Sequence, residues 1–208
     1  MELILPRHCA GCGRGGELLC AACRAELARP PQLVTTRSSP HVPVYALAPY
    51  AGAHRSVILA MKERRNTAVR RHVGAVLGAA LTHLGARGDL PPAFVLVPAP
   101  TRRRSARLRG GDPVEQICRA SGVATVAALR LAPRVADQSE LGADERLKNL
   151  AGAVRLVDAG VDRLRARPAV PVVLVDDVVT TGATLMTSAQ RLIAAGVTVA
   201  AAVVVCSA

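Results

Sequence analysis

Two adjacent carboxylates, Asp176 and Asp177, are followed after two valines by Thr180, Thr181, Gly182, Ala183 and Thr184. Hydroxyls and a glycine in so short a turn suit an anion. Small residues let backbone N–H groups approach a phosphate, and a helix that starts there adds the positive end of its dipole. The carboxylates repel a phosphate and suit what adjoins one, either the hydroxyls of a polyol such as ribose or a hydrated Mg²⁺. An ordinary strand-to-helix turn with Asp177 as its cap would need one acid, not two acids, three threonines and a glycine together. A second chemistry lies near the other end, in Cys9-x2-Cys12 and Cys20-x2-Cys23. Paired CxxC knuckles suit tetrahedral thiolate coordination of zinc, and Gly11, Gly13, Gly15 and Gly16 permit the tight turns chelation needs. Four thiolates leave no open position for a substrate, so the expected role is structural. Disulfides are the competing reading, disfavoured in a reducing compartment. His8 adjoins Cys9 and reads as solvated rather than as a fifth ligand. Cys118 and Cys206 sit in apolar surroundings and read as core.

The elements that must position these groups follow from hydropathy. Val172–Val175, after Pro171, reads as a strand buried on both faces that runs out at the two acids. From Ala183 the pattern is helical (Leu185, Ala189, Leu192, Ile193), with Gly196 as C-cap. A second buried strand, Phe94–Val97, ends in Pro98-Ala99-Pro100. In doubly wound sheets ligands bind outside the carboxyl ends of strands. That loop is therefore expected beside Asp176–Thr184, with Ala99 small enough to admit an anion to the backbone. Directly after it come five arginines in eight residues, Arg102, Arg103, Arg104, Arg107 and Arg109, without an acid. This segment reads as a basic lid, a solvated loop or a nucleic-acid groove. Elsewhere the pattern predicts a strand at Val44–Pro49, helices over 53–63, 67–86 and Pro113–Ala120, and a short helical piece over 144–150. A short strand is expected at Ala153–Val157, a solvated face at Arg163–Arg167 and a closing strand at Val197–Cys206. Val123–Leu131 reads as extended or helical. Four prolines with serines and threonines over 29–43 read as a linker.

At 208 residues the chain holds one main α/β domain and a small appendage. Half of it is hydrophobic, yet it has no Trp, one Phe and two Tyr, so its core must be Val, Leu and Ala. The net charge of +12 favours anionic partners such as nucleotides, pyrophosphate or nucleic acid. Three aromatic residues argue against a stacking platform for single strands. No run is long enough to span a bilayer and no secretory signal is visible, so a cytoplasmic location is expected.

Val175-Asp176-Asp177-Val178 with Thr180–Thr184 resembles the motif by which type I phosphoribosyltransferases bind 5-phosphoribosyl 1-pyrophosphate (PRPP). Over nearly its whole length the chain is similar to the ComF family of competence-associated proteins. These join a zinc ribbon to a phosphoribosyltransferase-like domain. The other markers are the CxxC pairs, Tyr50 through Lys62, Val-Pro-x-Pro at 97–100, Arg109-Gly110, Asp137-Gln138 with Leu141, and Arg146 with Asn149. One departure is Gly111-Asp112-Pro113, where the family usually has Phe-Asn-Gln.

The resemblance implies an α/β fold with an open, mostly parallel doubly wound sheet, a zinc domain over 1–28, a linker over 29–43 and the main domain over 44–208. It implies that Thr180, Thr181, Gly182, Ala183 and Thr184 take the 5′-phosphate and that Asp176 and Asp177 hold the ribose hydroxyls. Mg²⁺, the backbone near Ala99, and Arg102 and Arg103 would hold pyrophosphate, while Lys62, Arg146 and Asn149 line or support the cleft. Three functions remain open at this point: a phosphoribosyltransferase, a non-catalytic sensor of PRPP or a nucleotide, and an accessory of DNA uptake that binds single-stranded DNA or a competence-machinery partner.

Overall fold

The computed structural model describes residues 8–62, 66–101, 111–132 and 153–208. Its centre is strand β6 (Val172–Val179), flanked by β7 (Val199–Ser207) and β3 (Val95–Pro98), both parallel to it. Strand β2 (Val44–Pro49) runs parallel to β7, and β1 (Gln32–Val34) closes the edge antiparallel to β2, giving the order β1-β2-β7-β6-β3. Side chains alternate strictly along the central strands. Val173, Val175, Ala201 and Val203 enter one core, and Val172, Leu174, Ala202 and Val204 enter the other. All eight are fully buried. A strand covered on both faces has no polar side, which explains the unbroken aliphatic runs.

The first core is closed by α1 (Ala21–Leu27), α2 (Gly52–Lys62), α3 (Thr67–Ala86) and α4 (Pro113–Ala120). The second is closed by α5 (Asp158–Arg165), α6 (Ala183–Ala194) and a small antiparallel pair, β4 (Leu129–Leu131) with β5 (Val154–Leu156). This is a mostly parallel mixed α/β sheet with helices on both faces. Without aromatic bulk, the layers approach closely. A Cβ on Gly74 of α3 would lie 2.9 Å from the Ile117 carbonyl oxygen of α4.

Several expectations need correction. The strand does not run out at the acids: β6 continues through Asp176 and Asp177 because the nine-residue β7 still offers partners, pairing Asp176 with Val204 and Val179 with Ser207. Arg163, Arg165 and Arg167 are exposed as expected, but the first two belong to a helix, Asp158–Arg165, that buries Gly160, Val161 and Leu164. The 29–43 stretch is not a free linker. It supplies β1, buries Pro31 and Pro40, and packs Val34 and Val42 against the second core. Its prolines, Pro30, Pro31, Pro40 and Pro43, all lie outside β1, where a missing N–H breaks no ladder. Nor is the cysteine module separate: Cys9, Ala10, Leu19, Cys23 and Leu27 join one core with Val57, Ile58 and Leu84. Residues 123–131, undecided from sequence, are extended at Thr125, which bridges Leu96, and at β4. The expected helical piece over 144–150 lies outside the described residues.

Candidate functional site

The loop from β6 into α6 forms the site. Gly182 is the N-cap of α6 with φ +85°, and no side chain caps the helix. Asp177 is therefore not the cap. The turn exposes the first-turn N–H groups of α6, with Thr181 Oγ1 accepting only weakly from Ala183 N–H at 3.4 Å. Asp176, Val178, Val179 and Thr180–Leu185 line a cavity of about 90 Å³ here. Glycine is required at 182 twice over. Its φ is left-handed, and a Cβ would stand 2.5 Å from the Ser38 carbonyl oxygen and 2.8 Å from Thr36 Oγ1. The strap after β1 thus lies directly on the loop, and Ser38 N–H donates to the Thr181 carbonyl at 2.8 Å. Nothing local in the Thr36–Ser38 sequence signals this contact. Gly182→Ala is expected to cost about 1–3 kcal/mol of stability, because strain and collision act together. A denaturant midpoint equal to the parent's would contradict that.

Adjacent strand residues point to opposite faces, so the two acids meet different surroundings. Asp177 Oδ2 pairs with Lys62 Nζ, the last residue of α2, at 2.8 Å in a largely buried contact. Lys62, singled out by resemblance alone, does reach the acid pair. Asp176 Oδ1 accepts the N–H of Asp177 at 2.8 Å. Asp176 keeps part of its surface open. Loss of hydration, and then the charge of Asp177, push its carboxyl up to about 8, against the opposing pull of the Asp177 N–H and Lys62.

This shift sets a pH dependence. In the folded protein Asp176 holds its proton to about pH 8, whereas an unfolded aspartate releases it near 4. Stability is therefore greatest below pH 4 as far as this group is concerned and falls as pH rises through 8. The groups facing it are Asp177, Lys62 and Asp112. Asp176→Asn should be more stable than the parent above pH 8, with the gap narrowing as pH falls and closing near pH 4. A gap constant across that range in thermal melts would refute the shift.

Ala99 lies beside the acids, buried, but its N–H donates to the Val175 carbonyl at 2.7 Å. The ladder between β3 and β6 extends one residue past Pro98, so this amide is not free for an anion, contrary to expectation. Pro100 has no N–H to offer in its place. The Gly111-Asp112-Pro113 departure has a structural role. Asp112 Oδ1 accepts from Val114 N–H at 2.9 Å and Glu115 N–H at 3.3 Å, capping α4, and from Thr101 Oγ1 at 3.3 Å. Asp followed by Pro at N1 is a legible helix start. Arg102, Arg103, Arg146 and Asn149 lie outside the described residues.

The second candidate site is the cysteine module. The four Sγ atoms of Cys9, Cys12, Cys20 and Cys23 lie within 4.8 Å of one another, and no disulfide joins them. Cys12 and Cys20 are 3.7 Å apart. A tetrahedron with metal–sulfur bonds of ~2.3 Å has edges of about 3.8 Å, so the spacing fits one metal ion such as zinc. Burial raises the Cys9 thiol, but the N–H of Cys20, 3.3 Å from its sulfur, and contacts at Cys12 and Gly11 outweigh that and bring it down to about 6. A sulfur in that state is ready to ligate. His8 is exposed and bridges Gly15, outside the cluster.

Cys118 and Cys206 are fully buried in the core, as expected. A larger cavity of about 440 Å³ opens between α1 and α3, lined by residues such as Leu27, Pro31, Val76 and Ala80. Its lining carries Arg24, Arg29, His72 and His83 and no acid. Among the described residues, no helix is long and apolar enough to cross a membrane. Compared with known proteins, the chain matches no family model and no curated protein, so the residues themselves carry the functional argument.

Proposed function

We propose that the chain binds PRPP with Mg²⁺ at the carboxyl end of β6 and acts as a phosphoribosyltransferase. The observation that carries this reading is the convergence of three features: the uncapped first turn of α6, the acid pair, and Lys62 held on Asp177. The cavity of about 90 Å³ over the loop is small and suits a phosphoryl group. The 5′-phosphate sits over the α6 N-terminus, held by its N–H groups and by the hydroxyls of Thr180, Thr181 and Thr184.

Asp177, held by Lys62, accepts from one ribose hydroxyl, while Asp176 retains a proton near neutral pH and donates to the other oxygen. The pair then fixes the sugar as positive charge develops on it, without forcing two bare carboxylates together. Bound Mg²⁺ supplies charge neutralisation for the departing pyrophosphate. Lys62 is the described cation nearest the acids and adds to it. The four cysteines hold a structural zinc ion, and the need for free thiols suits a reducing, cytoplasmic setting.

One observation favours a second reading, a non-catalytic sensor of PRPP or a nucleotide. The Ala99 amide is spent within the sheet, which removes one expected contact to pyrophosphate. Calorimetric titration with PRPP and Mg²⁺, followed by assays of pyrophosphate release with purine and pyrimidine bases, separates the two. Binding with base-dependent release supports the enzyme, and binding without release supports the sensor. Absence of PRPP binding overturns both.

A further inference from the structure

Helix α2 is held at both ends by residues from other parts of the chain. At its start, Ala53 N–H donates to Glu26 Oε1 at 2.9 Å, and Glu26 belongs to α1 of the cysteine module. A carboxylate there also meets the positive end of the helix dipole. The module touches the same turn a second time. A Cβ on Gly11 would lie 2.6 Å from Cys23 Sγ and 3.2 Å from Ala53 Cβ, so the knuckle rests on the first turn of α2. At the far end, the buried Arg70 donates from Nη2 to the Met61 carbonyl at 3.3 Å and from Nη1 to Gln116 of α4 at 2.7 Å. Lys62, the next residue, pairs with Asp177 at 2.8 Å. Between the ends, Val57, Ile58, Ala60 and Met61 are buried to within 1 %. Eleven residues span about 16 Å, and a close-packed helix of that length shifts as a body rather than bending.

We infer that Glu26 is a positioning residue for Lys62: through α2 it couples the state of the four-cysteine module to the acid pair, so that metal and phosphorylated sugar bind cooperatively. With the module folded around its metal, α1 presents Glu26 to Ala53 and α2 is seated. Lys62 then holds the Asp177 carboxylate in its orientation. With the module open, the cap is lost, α2 loosens, and the Lys62–Asp177 pair spends less time formed. Linkage makes the effect reciprocal, so the sugar phosphate tightens the metal by the factor by which the metal tightens the sugar phosphate. The ligand half of this inference rests on the proposed function; the link from Glu26 to Lys62 does not.

The test uses the full chain with Glu26→Ala and Glu26→Gln. Metal content is read by elemental analysis, backbone amide exchange is followed over Gly52–Lys62, and the acetylation rate of Lys62 is measured by mass spectrometry. PRPP affinity is measured alongside. Glu26→Ala should keep one metal per chain and speed exchange through the last turn of α2. It should also raise Lys62 acetylation and weaken PRPP roughly tenfold, within the range usual for coupled sites. Glu26→Gln should restore most of this, because its amide oxygen still accepts from Ala53 N–H. Zinc titrated into metal-free protein should bind more tightly when PRPP is present. Exchange changes confined to the first turn with parental Lys62 acetylation would overturn the proposal, and so would loss of metal from both variants, which would make Glu26 a support of the module alone. If the parent binds no PRPP, the proposed function falls, while exchange and acetylation still decide the role of Glu26.

Discussion

Asp177→Ala is expected to leave the fold intact and to weaken PRPP at least tenfold. The carboxylate lies in the last three residues of a strand whose core packing is supplied by Val172–Val175, all fully buried, so its removal opens no cavity in the core. A charge-assisted hydrogen bond to a ribose hydroxyl contributes about 1.5–3 kcal/mol, which corresponds to roughly ten- to hundredfold in affinity. The variant also releases Lys62, now 2.8 Å from Asp177, beside the anion site. Inorganic pyrophosphate should therefore bind no worse than to the parent while PRPP binds worse. That split separates a lost sugar contact from general damage to the loop. Equal PRPP affinity in a folded variant would remove Asp177 from the site.

Loss of metal should have the widest structural effect. Cys20→Ser is expected to release the ion and to melt the cysteine module, because the four thiolates that organise the segment need that ion between them. Two independent domains would confine the damage to residues 1–28. The shared core predicts otherwise. Leu19, Cys23 and Leu27 are within 5 % of complete burial in one cluster with Val57, Leu77 and Leu84, so opening the module exposes the outer faces of α2 and α3. Burying a leucine contributes about 1.5–3 kcal/mol, and at least two leucines would be uncovered. The whole chain should therefore melt several degrees lower on zinc removal. An unchanged main transition with only the N-terminal amides exchanging faster would restore the picture of separate domains.

Much of this protein was legible from local pattern. The runs at Val172–Val175 and Val197–Cys206 read as a strand buried on both faces and a closing strand, and both are found, as Val172–Val179 and Val199–Ser207; the helices at 67–86 and 113–120 appear where periodicity predicts them. The C-cap at Gly196 also holds, since Val197 N–H returns to the Leu192 carbonyl at 3.0 Å. The cysteine spacing sufficed to place four sulfurs in one cluster, because a CxxC knuckle is a local geometry. What local pattern cannot hold is register and contact across distance. That Asp177 meets Lys62 depends on how α2 crosses the sheet, and that the Ala99 amide is consumed depends on β3 pairing one residue further than its hydropathy suggests. Thr36 and Ser38 sit in a proline-rich stretch with the composition of a linker, yet a free edge on β2 draws that stretch into the sheet and onto Gly182. Glu26 reads as any exposed helix acid until α1 docks against α2. Local pattern supplied most of the elements and the chemical groups available. Tertiary packing decided which of those groups meet, because non-local hydrogen bonds and ion pairs form only when separate elements bury their apolar faces together.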